Sequence, residues 1–312
     1  MNPLSVLYGA VSGARNTLYE NGLIRAHRLK GPVVSVGNIS VGGSGKTPFI
    51  IMLGEMLKAN GIRFDVLSRG YGRQTTGVRQ VDESGTAADF GDEPLLIARR
   101  LRVPVIVGES RAAAGQFAEK HFGPQLHLLD DGFQHRSLYR DFDIVLVSSE
   151  DANDKLLPIG RLREPWSALA RADAIVLTNQ AEEKLPLPKQ KIVWRVKRGL
   201  RLQSAPPRPT AFCGIARPER FIEQLRATGI DPVAKFFFDD HHAYSRDDIK
   251  RLEQLQQKNT SGGFITTEKD AINLGDLALT LGTIAVARVT MELQHPTQAI
   301  EAILERISRK TN

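Results

Sequence analysis

Two periodicities alternate along most of this chain. Short apolar, β-rich runs ("PVVSVG", "FDVLSRG", "VPVIVG", "QLHLLDD", "DFDIVLV", "DAIVLTN") are separated by helical stretches such as "TPFIIMLGEMLKAN", "DEPLLIARRL" and "SRAAAGQFAEKHF". Apolar strands spaced by helices of about ten residues or more predict a parallel sheet covered on both faces. The pattern breaks at "AEEKLPLPKQKIVWRVKRGLRLQSAPPRP", where proline and charge accumulate and "KIVWRVK" reads as a short strand or hairpin within a linker. Beyond it, "TAFCGI", "PVAKFFF", "GFITTEKD" and "TIAVARV" alternate with "PERFIEQLRATG", "SRDDIKRLEQLQQK" and "PTQAIEAILERIS", predicting a second, smaller α/β layer. The expected division is an N-terminal helix over 1–32, an α/β core over 33–183, a basic linker over 184–208 and a smaller α/β domain over 209–312.

In the first segment Leu4, Leu7, Tyr8, Val11, Ala14 and Leu18 recur at helical spacing and make one apolar stripe. Arg15 lies on the polar side, and Arg25, Arg28 and Lys30 follow. Such a stripe either packs on the core or lies in a membrane interface with its cations near acidic headgroups. No apolar run approaches the roughly 20 residues of a membrane span, and no signal-peptide layout opens the chain, so a cytosolic location is expected.

Composition narrows the partners. The net charge is +7, and residues 184–208 hold eight Lys/Arg and no Asp/Glu. A patch of that kind faces a polyanion or is simply solvated. A single-strand nucleic-acid platform would interleave aromatics, and only Trp194 is present, so no nucleic-acid partner is expected. The single cysteine, Cys213, excludes an intramolecular disulfide and reads as a small buried apolar residue.

"SVGGSGKTP" follows the strand "PVVSVG" and opens a helix, the setting of a phosphate-binding loop. Ser40, Val41, Gly42, Gly43, Ser44, Gly45, Lys46 and Thr47 form the expected nucleotide site. The glycines let backbone N–H groups wrap an anion, Lys46 reaches the β- and γ-phosphates, and the Thr47 hydroxyl ligates Mg²⁺. Ser40 departs from the pattern G-x-x-x-x-G-K-S/T, which has glycine there. Together with the alternation this predicts a P-loop NTPase-type parallel sheet with helices on both faces, a nucleoside triphosphate as ligand and Mg²⁺ as metal.

Such a loop needs a Mg²⁺-directed carboxylate at the end of a neighbouring strand, and "LHLLDDGFQH" offers Asp130 for the metal with Asp131 beside it. Asp92, in "FGDEPLLIARR", is either a helix cap or a functional acid. "FFFDDHHAYS" places Asp239, Asp240, His241 and His242 after a strand of the second layer, where a carboxylate or imidazole facing the loop across a cleft sets the pKa of a general base. Zinc is not expected, because no cysteine or spaced third ligand accompanies them. Arg69, Tyr71 and Arg73 in "SRGYGRQ", and Arg161, Arg163 and Glu164 in "LPIGRLREPW", are either clamps for a phosphorylated acceptor or surface arginines.

In order along the chain, "VGNISVGGSGKTP", "LSRGYGR", "GDEP", "LLDDGFQH", "PIGRLREP", "DDHH" and "TTEKDAI" resemble the tetraacyldisaccharide 4'-kinase family, the lipid A 4'-kinases of Gram-negative bacteria. The family's loop is similar to G-N-x-x-x-G-G-x-G-K-T, led here by Gly37 and Asn38, which accommodates Ser40. The resemblance implies ATP-dependent phosphorylation of the 4'-hydroxyl of a tetraacylated glucosamine disaccharide 1-phosphate at the cytoplasmic face of the inner membrane. It implies a peripheral protein, expected to be a monomer, whose N-terminal helix contacts lipid. It further implies Asp92 as catalytic base with His241 as partner in preference to His242, Asp130 and Asp131 as Mg²⁺ carboxylates with Glu164 contributing, and Arg69, Tyr71 and Arg73 toward the acceptor. The rival reading is a P-loop switch that hydrolyses nucleotide without an acceptor.

Overall fold

The computed structural model describes residues 3–178 and 185–308. Its first half holds seven strands, β1 (Val33–Asn38), β2 (Phe64–Ser68), β3 (Arg79–Gln80), β4 (Val105–Val107), β5 (Leu126–Asp130), β6 (Phe142–Val147) and β7 (Ala174–Leu177). Between and before them lie the helices α1 (Pro3–Glu20), α2 (Lys46–Ala59), α3 (Ala87–Phe90), α4 (Asp92–Leu101), α5 (Arg111–His121) and α6 (Ser149–Ala152). The strands run in the order β7-β6-β1-β5-β2-β4-β3, parallel except for the edge strand β3. Every residue of β1, β2, β5 and β6 is buried, as continuous apolar strands covered on both faces should be.

The second half adds β8 (Ile192–Arg201), β9 (Thr210–Cys213), α7 (Pro218–Ala227), β10 (Ala234–Phe237), α8 (Arg246–Lys258), β11 (Phe264–Thr267), α9 (Glu268–Leu274), β12 (Ile284–Leu293) and α10 (Pro296–Ser308). The strands β10-β9-β11-β12 form a second parallel set with its own apolar clusters around Phe212, Phe221 and Leu252. The two sets are one sheet. The first residues of β8 pair with β7, and its later residues pair antiparallel with the end of β12, whose beginning pairs with β11.

The structure departs from the expected division in two places. The middle of the linker expected over 184–208 is the ten-residue strand β8, because alternation in "KIVWRVK" buries Trp194 and Val196 on one face; the expected break between 183 and 184 lies outside the described residues. The C-terminal helix does not stay with the smaller layer. Ala299, Ile300 and Ile303 of α10 join the cluster of α2, β6 and Trp194, returning the chain to the first half. Its amphipathic pattern specifies an apolar stripe but not which sheet face it covers.

That return contact is testable. Ile303 is fully buried, so Ile303→Ala should cost about 2–5 kcal/mol in urea unfolding and shift the transition of the first-half core with it.

Candidate active site

Because β1, β2 and β5 are parallel neighbours, their C-terminal ends share one edge, and the second set of strands turns its own C-terminal edge toward it. Between the edges lies a cleft of about 680 Å³. One wall is the loop after β1, with Val41 through Thr47 on it, and Gly45, at φ 86°, is in the left-handed region that turns the chain into α2. Lys46 Nζ lies 3.3 Å from Asn38 Oδ1 and 3.5 Å from Asp131 Oδ1. Arg163 grips both oxygens of Asp131 at 2.8 Å and also meets Asn38 Oδ1. Although burial opposes its ionisation, these two cations hold Asp131 far below the usual carboxylate range.

Asp130 is the opposite case. It ends β5 beneath the loop, accepts at Oδ2 from Ser68 Oγ at 2.8 Å, and leaves Oδ1 buried with no protein partner. Burial and the nearby Glu93 and Asp131 charges push its carboxyl up to about 7. The two adjacent aspartates are thus differentiated: one is neutralised by fixed cations, the other is short of one.

Across the cleft, the segment after β10 brings His241 to Asp92. His241 Nδ1 lies 3.1 and 2.9 Å from the two Asp92 oxygens, and its Nε2 lies 3.1 Å from Lys269 Nζ. Placing the proton on Nδ1 lets it donate to Asp92 while Nε2 accepts from Lys269, which satisfies every group. Asn273 donates to Asp92 Oδ2 at 3.2 Å, and the Tyr71 ring packs 5.3 Å from the imidazole. Gly91, at φ 89°, makes this approach possible: a Cβ there would stand 2.7 Å from the Tyr71 carbonyl. Gly91 is therefore the cap of α4, and Asp92 is its first residue, only 4% exposed beneath the wall of His241, Tyr71 and Glu93. His242 turns away to Asp248, 3.1 Å distant, and stacks on Phe238.

Known proteins share this arrangement of elements. A family model described as Tetraacyldisaccharide-1-P 4'-kinase matches residues 1–308. The chain belongs to that family. A tetraacyldisaccharide 4'-kinase of Koribacter versatilis is 48% identical over 321 residues, covering 99% of each chain. One from Geobacter metallireducens is 35% identical over 97% of this chain and 96% of its own. The crystal structure of LpxK from Aquifex aeolicus in complex with ATP superposes with a TM-score of 0.81 at 34% identity, over 98% of each chain.

Three residues expected at the site lie elsewhere. Glu164 is fully buried away from the cleft, its oxygens met by Asn16 at 2.7 Å, Gln134 at 3.0 Å and two Arg171 nitrogens at 2.9 and 3.1 Å, so each oxygen already has two donors and none is left for a metal. Arg73 pairs with Glu109 at 2.5 Å and caps the Gly77 carbonyl, off the cleft wall on which Arg69 and Tyr71 stand. Ser40 is buried in a bridge with Leu162 rather than lining the cleft. Asp239 is exposed, and Asp240 stands 3.6 Å from Lys269.

Several wall residues carry too little local signal to stand out in the sequence. Lys269 sits in "TTEKDAI", an ordinary helix start, and Arg198 lies within a patch that reads equally as solvated. Arg111, 6% exposed, follows a common Ser110 cap and reaches the cleft only because β4 neighbours β2.

The Asp92–His241 bond makes stability depend on pH. Its hydrogen bond to Asp92 raises the His241 pKa; burial opposes ionisation of Asp92, but His241, Lys269 and Asn273 outweigh it and lower that pKa. The imidazole's contribution is therefore complete below its ordinary value near 6.5 and lost as pH rises through its raised value; the carboxylate's is present above about 3.9 and lost as pH falls through its lowered value. The stability difference between wild type and His241→Asn, from urea midpoints at successive pH, should be largest between about 4 and 6.5 and shrink on the alkaline side.

Proposed function

We propose that this protein transfers the γ-phosphate of ATP to the 4'-hydroxyl of a tetraacylated glucosamine disaccharide 1-phosphate, a step of lipid A (lipopolysaccharide) biosynthesis. The observation that carries the reading is the confrontation, across one cleft, of a phosphate-binding loop with an imidazole, His241, that holds the ionised carboxylate of Asp92 just beneath the wall. A nucleotide switch needs the first element and has no use for the second.

The donor set fits Mg²⁺. Asp130 Oδ1 is a buried acceptor without a protein partner, and Thr47 stands in the first turn of α2. Among the described residues no group of three or more His, Cys, Asp or Glu could hold a metal, so the remaining ligands would be phosphate oxygens and water, as hard cations at such loops require. When bound there, the metal neutralises charge on the β- and γ-phosphates. Lys46 and the loop amides then hold the phosphoryl group in line, with Asp131 and Arg163 fixing where the lysine can reach. Asp92 orients the sugar hydroxyl, and the hydrogen-bonded Asp92–His241 pair takes up its proton as the new bond from oxygen to the γ-phosphorus forms and the β–γ phosphate bond breaks to release ADP.

The acceptor's phosphate has a matching field. Arg69 and Arg111 face the cleft beside His135, and burial together with Arg111, Arg140, Arg69 and Arg15 depresses that imidazole to about 4, leaving it neutral at physiological pH. The acyl chains point to α1. Most of its stripe is turned outward, with Leu4, Leu7 and Val11 each about 60% exposed, while Tyr8 departs from the stripe and with Ser5 and Asn16 binds the body of the protein. Among the described residues no helix is long and apolar enough to cross a membrane, and an exposed apolar stripe ahead of Arg25, Arg28 and Lys30 suits peripheral attachment at the inner face of the inner membrane.

The test follows radiolabel from γ-labelled ATP into a 4'-unphosphorylated lipid A precursor in detergent. Wild type should label the lipid; nucleotide hydrolysed equally with and without lipid, and no labelled lipid, would favour the switch. Asp92→Asn should lower kcat by about 10²- to 10⁴-fold and leave the KM for ATP within a few-fold. In a separate sedimentation experiment, Leu7→Glu with Val11→Glu should abolish binding to anionic phospholipid vesicles without changing ATP affinity; retention equal to wild type would show that α1 is not the lipid contact.

A further inference from the structure

Arg198, near the middle of β8, reaches the cleft from the bridge between the two strand sets. Its side chain makes no hydrogen bond or ion pair with any described residue, and its Nε is buried without a partner. The charges acting on it are Arg220 and Arg217, both of its own sign, and with burial they bring the guanidinium down to about 10. The carboxylate within reach of the group is already shared: Glu150 binds Arg220 at 2.6 Å, Arg217 at 2.8 Å and Arg161 at 3.3 Å. A buried cation among cations is unfavourable unless an anion joins it.

The position of these side chains names the anion. The Arg198 guanidinium lies 3.9 Å from where a Cβ on Gly45 would stand, and the Arg217 side chain lies 3.0 Å from where one on Gly43 would stand. Both glycines belong to the loop whose N–H groups wrap phosphate, so the two arginines close the open side of the same cradle. Guanidinium groups match phosphate oxygens in a fork, and an unpaired one loses little in turning to them.

We infer that Arg198, with Arg217 beside it, contacts the phosphate chain of the bound nucleotide and completes from the bridge an anion site that the loop only half builds. This rests on the kinase reading and deepens it: the nucleotide is held by both halves of the molecule, and its charge relieves a repulsion present without it.

The test is Arg198→Gln, read by melting temperature without ligand and by calorimetric titration with ATP and with inorganic tripolyphosphate. The expected result has opposite signs: an unliganded melting temperature equal to or above wild type, and affinity for both polyanions weakened about 10- to 100-fold. Affinity for both within twofold of wild type would overturn the inference and leave the kinase reading intact, since that is judged by wild-type labelling of lipid. Should wild type itself bind no ATP, the reading and the inference would fall together. If Arg198→Gln does not fold, Arg198→Lys decides: it keeps the charge and loses the fork, so ATP binding weakened at least threefold supports the contact and unchanged binding refutes it.

Discussion

Everything in this molecule depends on how β8 and β12 share their hydrogen bonds. Each strand is ten residues long and belongs to both strand sets, β8 starting beside β7 and ending beside β12. Parallel sheets present their ligand-binding edge at the C-terminal ends of the strands. Two such sheets can cooperate only if their edges face each other, and a continuous antiparallel ladder between them imposes that facing while leaving the cleft open. The ladder sets where His241 meets Asp92 and where Lys269 meets His241.

Within that frame, charge placement does the sorting. Adjacent aspartates at the end of β5 acquire opposite characters because Asp131 is met by Arg163 and Lys46 while Asp130 is enclosed with Ser68 alone. Another acid, the buried Glu164, serves architecture: with Asn16, Gln134 and Arg171 it ties α1 to the loop below. Burial raises the cost of leaving any of these groups unpaired, which is why each is surrounded by donors or placed where an ion or ligand oxygen would be welcome.

Motifs that are local in sequence are legible from the residues alone: the loop from Val41 to Thr47, the Asp130-Asp131 pair, and the alternation of strand and helix. Pairings that depend on topology are not. Nothing local joins Asp92 to a histidine 149 residues later, and the choice between His241 and His242 follows from a left-handed backbone at His241, φ 60°, that turns the two side chains apart. Glu164 misleads because a motif beside Arg163 says which residues are close in sequence and not which way each points. The alternation in "KIVWRVK" shows a short strand, but its continuation to Arg201 depends on pairing with β12, and α10 carries an apolar stripe with no indication of the sheet that receives it.

One short stretch of chain links the outermost element to the innermost. The backbone of residues 156–164 receives Ser5 and Tyr8 from α1 on one side, at the carbonyls of Leu156 and Arg163, and on the other presents the Arg163 guanidinium to Asp131. Through two carbonyl oxygens the outermost helix and the Arg163 guanidinium share one piece of backbone, so the seat of α1 and the electrostatic setting of the phosphate loop are fixed by the same few residues.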